Sequence, residues 1–73
     1  MGNSPQKPRP IHTALVQDKL NEYRRGPNWI PKYDQFDAAR IARDLAEAGK
    51  FDDVDGNPRI SYAAIDDWLV EHA

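Results

Sequence analysis

Four oxygen-bearing side chains surround a glycine within residues 51–60, and this composition raises the possibility of a calcium-binding loop. They are Asp52, Asp53, Asp55 and Asn57. In such a loop Gly56 would take position six, which places Phe51 at position one and Tyr62 at position twelve, where carboxylate ligands are needed. Because neither residue is a carboxylate, we interpret the segment as a solvated turn and expect no metal site.

The other polar residues do not assemble a catalytic group. His12 and His72 stand at opposite ends of the chain without a matching ligand set, so the sequence gives no support for zinc. Ser61 occupies a helix N-cap position, and Asp66 and Asp67 point to different faces as neighbours on a helix. The four glycines are scattered and form no phosphate-binding loop. We therefore expect no enzyme activity and no cofactor.

Charge is distributed unevenly along the chain. Residues 1–33 contain six basic and two acidic residues, a net of +4, whereas residues 34–73 contain four basic and ten acidic residues, a net of −6. The sum is the formal net charge of −2. A charge asymmetry of this kind concerns what a protein contacts more than how it folds. We interpret the chain as an interaction protein.

A basic and aromatic stretch over residues 23–33 is the first candidate binding surface. It carries Arg24, Arg25, Trp29 and Lys32. Arginine and aromatic residues are the types that carry interface energy, and they also suit phosphate contact and base stacking. The alternative is that Trp29 completes a small core while the two arginines neutralise a helix C-terminus. Both interpretations remain open from the sequence.

Further contacts are predicted at the two ends of the charge distribution. Lys7 and Arg9 lie in the proline-rich N-terminal segment and are available to a partner. Asp52 and Asp53 form an acidic contact for a basic protein, and they would repel nucleic-acid phosphates. An acidic surface that only aids solubility is the alternative. We therefore expect no strong direct binding of nucleic acid.

The chain divides into an arm and one small domain. Residues 1–10 hold three of the six prolines, and no apolar residue separates Met1 from Ile11, so we expect a disordered arm. Residues 11–73 form a small helical domain. Cysteine is absent from the sequence, which excludes disulfides and thiolate metal sites. The sequence also lacks an apolar run of about 20 residues and a signal-peptide pattern, so we expect a cytoplasmic monomer without membrane contact.

The predicted fold is mostly α, with three helices, a short two-stranded β-hairpin before the last helix, and the disordered N-terminal arm. The first helix runs from Thr13 to Arg25 and ends at Gly26-Pro27. The second begins with Asp34 as N-cap and stops at Gly49. The start at Asp34 and the stop at Gly49 both follow from local capping preferences.

The Asp55-Gly56 pair predicts the turn of the hairpin, with Phe51, Val54 and Ile60 flanking it. Ser61 then caps a helix that extends from Tyr62 to Glu71. The expected apolar face of this helix consists of Tyr62, Ile65, Trp68 and Leu69.

Residues 39–73 resemble the winged helix-turn-helix of phage excisionases. The resemblance is carried by Ala48-Gly49-Lys50-Phe51 at a helix end, a short wing over residues 53–60, and Ile65-Asp66-Asp67-Trp68-Leu69 in the closing helix. It implies a DNA-binding regulator in which Arg40, Arg43 and Arg59 matter. The charge departs from that family, because its wings are basic and this one is acidic.

The chain as a whole also resembles small RNA-polymerase-binding antiterminators of the kind encoded by a Xanthomonas bacteriophage. The likeness rests on the length of 73 residues, the Pro/Lys/Arg arm and the cysteine-free helical body. It implies binding to the amino-terminal part of the largest subunit of bacterial RNA polymerase in the host cytoplasm. Initiation would be inhibited and antitermination promoted. An inhibitor of some other host defence or replication enzyme is a further class that shares the acidic surface.

Overall fold

Residues 5–73 are described by the computed structural model, and they form three α-helices and one β-hairpin. The elements are α1 (Pro10–Tyr23), a 3-10 helix (Pro31–Gln35), α2 (Ala38–Glu47), β1 (Asp52–Val54), β2 (Asn57–Arg59) and α3 (Tyr62–His72). The predicted, mostly helical fold with a hairpin before the last helix is confirmed. Helix α1 packs chiefly on α2, and α3 contacts both. None of the helices in the described range has the length and apolar character needed to cross a bilayer.

Helix α1 begins three residues earlier than the sequence predicts, at Pro10 in place of Thr13. Proline suits the first helical position because its fixed φ is already helical and its missing N–H needs no partner there. The preceding N–H, that of Arg9, donates to Nδ1 of His12 at 3.2 Å. This bond satisfies the N-cap amide as the third helical residue does in a capping box.

Helix α2, in contrast, begins later than predicted, with Asp37 as N-cap in place of Asp34. Phe36 is extended (φ −97°, ψ 134°) and separates α2 from the 3-10 helix. This break directs the Phe36 ring into the core, where it meets Trp68 edge to face with centroids 4.9 Å apart. A tertiary contact, which local propensity does not encode, therefore sets the start of α2.

The predicted stop of the second helix at Gly49 is confirmed. Gly49 has φ of 70°, a left-handed conformation that glycine adopts without Cβ strain. Its N–H donates to the carbonyl of Ala46 at 3.1 Å, and the N–H of Lys50 donates to that of Leu45 at 2.9 Å. These two bonds constitute a Schellman cap.

The hairpin and the N-cap of α3 agree with the local signals in the sequence. Asp55 (φ 53°) and Gly56 (φ 80°) are both left-handed, as a tight two-residue hairpin turn requires. The strands are antiparallel with Val54 opposite Asn57. Ser61 Oγ accepts the N–H of Ala64 at 3.3 Å, so Ser61 is the N-cap of α3 as predicted.

The core lies between the three helices and the start of the hairpin. Its fully buried side chains come from every helix and from the loop before β1, namely Val16, Leu20, Ile41, Phe51, Ile65 and Leu69. Tyr62 differs from the prediction, because its side chain is exposed and the Lys19 ammonium lies 4.4 Å from its ring centroid. It therefore belongs to the surface and not to the apolar face of α3.

The N-terminal arm differs in part from the expected disorder over residues 1–10. Residues 1–4 lie outside the described part of the chain. The N–H of Gln6 donates to the carbonyl of Ala46 at 2.8 Å, and its amide Nε2 donates to Oδ2 of Asp53 at 3.1 Å. Pro10 already belongs to α1. The described arm is thus an extended segment held against α2 and the hairpin by polar contacts that its composition does not reveal.

His12 is the one buried polar side chain in the described core. Its ring is fully buried and lies against Phe51, with ring centroids 4.4 Å apart. Nδ1 accepts the Arg9 N–H, which places the proton of the neutral ring on Nε2, and Nε2 has no hydrogen-bond partner. Burial lowers the pKa of His12, the Arg9 charge lowers this pKa further, and Asp53 opposes both effects.

We predict that the free energy of unfolding falls as the pH drops below 6.5. The unfolded chain binds a proton near the ordinary histidine pKa of 6.5, whereas folded His12 resists protonation. The stability is therefore complete above that pH and is lost as the pH falls toward the depressed folded pKa, by at most about 1.4 kcal/mol per pH unit. Urea unfolding at several pH values between 5 and 8, roughly the range in which histidine titrates, measures this dependence.

The substitution His12→Gln keeps an acceptor for the Arg9 N–H and removes the titrating group. We expect the pH dependence to shrink in this variant. His72→Gln, which removes the other histidine, is the matched control and should retain it. An unchanged pH slope in His12→Gln would contradict the role assigned to the buried ring.

Candidate functional site

The eight residues predicted to contact a partner lie in two regions separated by the length of α1. Trp29 is partly buried, and the other seven are exposed. Arg9 precedes α1 and Arg24 follows it, with fifteen residue steps between them. At 1.5 Å of rise per residue, this corresponds to about 22 Å along the helix axis. The predicted residues therefore do not form one compact patch.

The first region is centred on Trp29, and we call it the connector surface (Tyr23, Arg24, Trp29, Ile30 and Tyr33). The indole meets Tyr23 and Tyr33 edge to face, with ring centroids at 5.7 and 5.3 Å. Its N–H donates to Asp34 Oδ1 at 3.2 Å. The Arg24 guanidinium lies 5.1 Å from the indole centroid, a cation–π geometry. Trp29 packs against the core and keeps part of its side chain exposed, and its contact with a partner stays a prediction.

The exposed side chains around the connector surface include one apolar group. Ile30 retains 40% of its accessible area. Arg25 and Lys32 are exposed on the same segment, but no ring contact or ion pair within residues 5–73 joins them to Trp29. Arg24 is held loosely, because its Nε lies 3.9 Å from Asp34 Oδ1 and both side chains are largely solvated. This ion pair contributes little to stability.

The second region joins the arm to the acidic hairpin. Gln6 contacts Asp53, so the segment carrying Lys7 and Arg9 runs beside the carboxylates of β1. Asp52 is exposed and stands opposite Arg59 in the strand register. In residues 5–73, no set of three or more histidine, cysteine, aspartate or glutamate side chains is arranged to hold a metal ion. The hairpin is an acidic edge bordered by the arm.

Arg9, Arg40 and Arg43 line a shallow groove of about 530 Å³ between the arm and α2, and we call it the arginine groove. The sequence identifies Arg9 as an arm contact and the other two only as possible DNA contacts on a helix. Their proximity arises from the packing of the arm on α2 and has no signal along the chain.

A polar network between α2 and α3 was not predicted. The Trp68 indole N–H donates to Asp44 Oδ2 at 2.9 Å. His72 stacks on the indole with centroids 3.8 Å apart, and its Nδ1 lies 2.8 Å from the Trp68 carbonyl oxygen. Its Nε2 lies 4.0 Å from Asp44 Oδ2. The i, i+4 spacing of Trp68 and His72 was the available sequence signal for this stack.

This network lines a groove of about 620 Å³ that also contains Ser61, but the groove lacks an activated nucleophile. Both nitrogens of His72 are directed at Trp68 and Asp44, and the Ser61 hydroxyl caps α3. A general base must reach the proton that it removes. The arrangement is therefore suited to holding α3 on α2.

No protein-family model matches the chain, and neither a curated protein nor a solved structure matches it.

The connector surface is fastened to α3 by a hydrogen bond from the Tyr23 hydroxyl to Asp66 Oδ1. This bond to the carboxylate is the main reason that the pKa of Tyr23 is raised to about 12, and burial and the Asp66 charge add to the effect. Tyr23 is the last residue of α1, so the bond joins the end of α1 to the middle of α3. Its position near Trp29 makes it a support for the connector surface.

We predict that Tyr23→Phe lowers the free energy of unfolding by about 1 kcal/mol, the usual contribution of one intramolecular hydrogen bond. The raised folded pKa also has a consequence at high pH. The stability that Tyr23 contributes is complete below its ordinary pKa of 10.0 and is lost as the pH rises toward about 12. Chemical denaturation across this alkaline range should show a smaller loss in Tyr23→Phe than in the unsubstituted protein.

Tyr62→Phe is the matched control, because Tyr62 is an exposed tyrosine on α3. Its alkaline profile should follow that of the unsubstituted protein. If Tyr23→Phe and Tyr62→Phe behave alike, the Tyr23–Asp66 hydrogen bond does not stabilise the fold.

Proposed function

We propose that this protein is a transcription regulator of the bacteriophage type that binds host bacterial RNA polymerase. The proposed contact on the polymerase is the amino-terminal part of the largest subunit. The protein acts there as a monomer in the host cytoplasm, without a cofactor, by occupying a surface that initiation requires and that termination factors or signals also use. Initiation is thereby reduced and readthrough of terminators is increased.

The connector surface is the observation that carries this proposal. It combines a partly buried tryptophan, an arginine stacked on its ring and an exposed isoleucine. Interface energy is concentrated in tryptophan, tyrosine and arginine at the centre of a contact. Trp29 is held from two sides by tyrosine rings, so little side-chain entropy remains to be lost when a partner covers it.

The acidic hairpin favours a protein over a nucleic acid as the main partner. Asp53 and Asp55 are exposed at and beside the turn, the part of a winged unit that would approach a DNA backbone. Carboxylates at this place repel phosphates, whereas a basic protein surface attracts them. The charge of the hairpin therefore supports the polymerase proposal and weighs against a wing that contacts DNA.

We predict that the double substitution Arg24→Ala/Lys32→Ala weakens binding to purified RNA polymerase core by about tenfold or more, as loss of an interface arginine commonly does. The reason is that Arg24 lies on the Trp29 ring and Lys32 borders it along the chain. Biolayer interferometry with immobilised polymerase measures the affinity. A template with one promoter and one downstream terminator reports initiation and readthrough in the same reaction.

Lys50→Ala/Arg59→Ala removes two exposed positive charges outside the connector surface and is the control. It should bind and regulate like the unsubstituted protein. Circular dichroism of both variants checks that the helices are intact. The proposal fails if the unsubstituted protein does not bind polymerase, or if the two double variants lose affinity equally.

DNA binding through the winged unit is a second candidate, and one observation favours it. Arg40 and Arg43 are exposed about one turn apart on α2, the helix that precedes the hairpin, and Arg59 is exposed on β2. Helices in this position enter the major groove in winged helix-turn-helix proteins. For this candidate, the attraction between the arginines and DNA phosphates must exceed the repulsion between those phosphates and the carboxylates of the hairpin.

If α2 contacts DNA, affinity for a duplex should fall steeply between low and physiological salt. Removal of one phosphate contact by Arg43→Gln should reduce the log–log salt slope by about 1. A gel-shift titration at several salt concentrations measures both effects. Arg25→Gln, an exposed arginine beyond the other end of α1, is the control and should leave the slope unchanged.

A further inference from the structure

The arginine groove has the form of a site for an anionic chain. Pro8 and Pro10 line one side of the groove and Ala39 lines the other, so its walls are mostly apolar. The guanidinium groups of Arg9, Arg40 and Arg43 supply the charge, and Asp37 is the one carboxylate among the described lining residues. The groove therefore carries a net charge of about +2, in contrast with the acidic hairpin.

The backbones that carry these arginines are fixed. Arg9 is the N-cap of α1, and its N–H is bound by His12. Arg40 and Arg43 lie on α2, whose start and end are both defined by caps or tertiary contacts. A groove built on helices and prolines loses little conformational entropy when a ligand enters.

Two of the guanidinium groups are not neutralised by an ion pair within residues 5–73, and one of them, that of Arg40, is oriented by ring contacts. Arg40 lies over the rings of Phe36 and Trp68, at 5.7 and 5.5 Å from their centroids. Neither Arg9 nor Arg40 forms an ion pair with another residue of the described chain. Arg43 is partly occupied, with its Nε 3.5 Å from Asp44 Oδ1. At least two guanidinium groups can therefore bind an external carboxylate or phosphate, each by donating two parallel hydrogen bonds.

The acidic hairpin near the groove limits which anionic ligands can bind there. Gln6, three residues before Arg9, contacts the Asp53 carboxylate, so about 10 Å of extended backbone separates the groove from the acidic hairpin. A duplex, which is broad and charged along both strands, meets these carboxylates when it covers the groove. A single extended chain with spaced acidic side chains fits between the prolines and α2 without reaching the hairpin.

We propose that the arginine groove binds an acidic, extended segment of a protein partner, whose carboxylates pair with Arg9 and Arg40 and secondarily with Arg43. This interaction does not depend on polymerase binding, because the groove and the connector surface are at opposite ends of α1. The prolines contact the apolar parts of the segment from one side, and α2 faces it from the other. The N-termini of α1 and α2 both adjoin the groove and add to its positive potential.

The test uses the full chain and a fluorescein-labelled peptide of alternating glutamate and serine. Fluorescence polarisation at low salt should give saturable binding, and Arg9→Gln/Arg43→Gln should weaken it about tenfold, through loss of one main and one secondary charge-assisted contact. Arg40 is left unchanged because its guanidinium also packs on the rings of Phe36 and Trp68. Amide chemical shifts should change at Thr13 and Ala39, beside the groove, and remain constant at Ala63 on α3. A short DNA duplex is titrated in parallel.

Arg24→Gln/Arg25→Gln removes the same charge at the other end of α1 and should leave peptide binding within about twofold of the unsubstituted protein, because screening limits the reach of exposed charges. Three outcomes overturn the proposal. The peptide fails to bind, both double variants weaken it equally, or the duplex binds more tightly than the peptide with the same dependence on Arg9 and Arg43. The last outcome assigns the groove to nucleic acid.

Discussion

The orientation of the Trp68 indole is the constraint on which most of this small structure depends. The ring is 5% exposed and is surrounded by side chains from α2, from α3 and from the segment before α2. Its N–H is fixed by Asp44 on α2, its edge meets Phe36, and His72 covers one face. In a chain of this size a hydrophobic core buries only about 60% of the unfolded surface, so one large aromatic side chain contributes a substantial share of the stability. Arg40 lies near the same ring and is thereby held toward the arginine groove, so the core residue also organises a surface.

The fold brings together residues from the basic and acidic halves of the chain. Along the chain the basic and acidic residues are separated into two halves, which suggests two opposite faces. In the structure the arm packs beside the acidic hairpin through Gln6 and Asp53, while Arg40 and Arg43 from the acidic half join Arg9 from the basic half. The result is an alternation of positive and negative surfaces around the molecule. A net charge calculated by segment therefore does not predict where the charged surfaces of the folded chain lie.

Features that depend on neighbouring residues were predictable from the sequence, and those that depend on distant contacts were not. Gly49, the Asp55-Gly56 turn and the Ser61 cap follow from backbone conformations or hydrogen bonds that only a few residue types supply. The start of α2 was misplaced because the Phe36–Trp68 contact outweighs the capping tendency of Asp34. The burial of His12, the attachment of the arm and the proximity of Arg9 to Arg40 are tertiary facts, and the sequence carries no periodic signal for them.

The separation of the two candidate surfaces limits how a partner can use them. An ordinary protein interface buries about 800 Å² on each partner, which is roughly one sixth of the 4960 Å² accessible surface of this chain. Arg9 in the arginine groove and Arg24 in the connector surface lie about 22 Å apart along α1. Tyr33 of the connector surface is four residues before Asp37 of the groove, so one partner of ordinary size can contact residues of both. In the two proposals, a folded surface binds through aromatic anchors at one end of α1 and an extended acidic segment binds at the other, with α1 as the rigid spacer. If both elements belong to one partner, the second contact forms at the high effective concentration set by that spacer, and two modest affinities combine into a strong one.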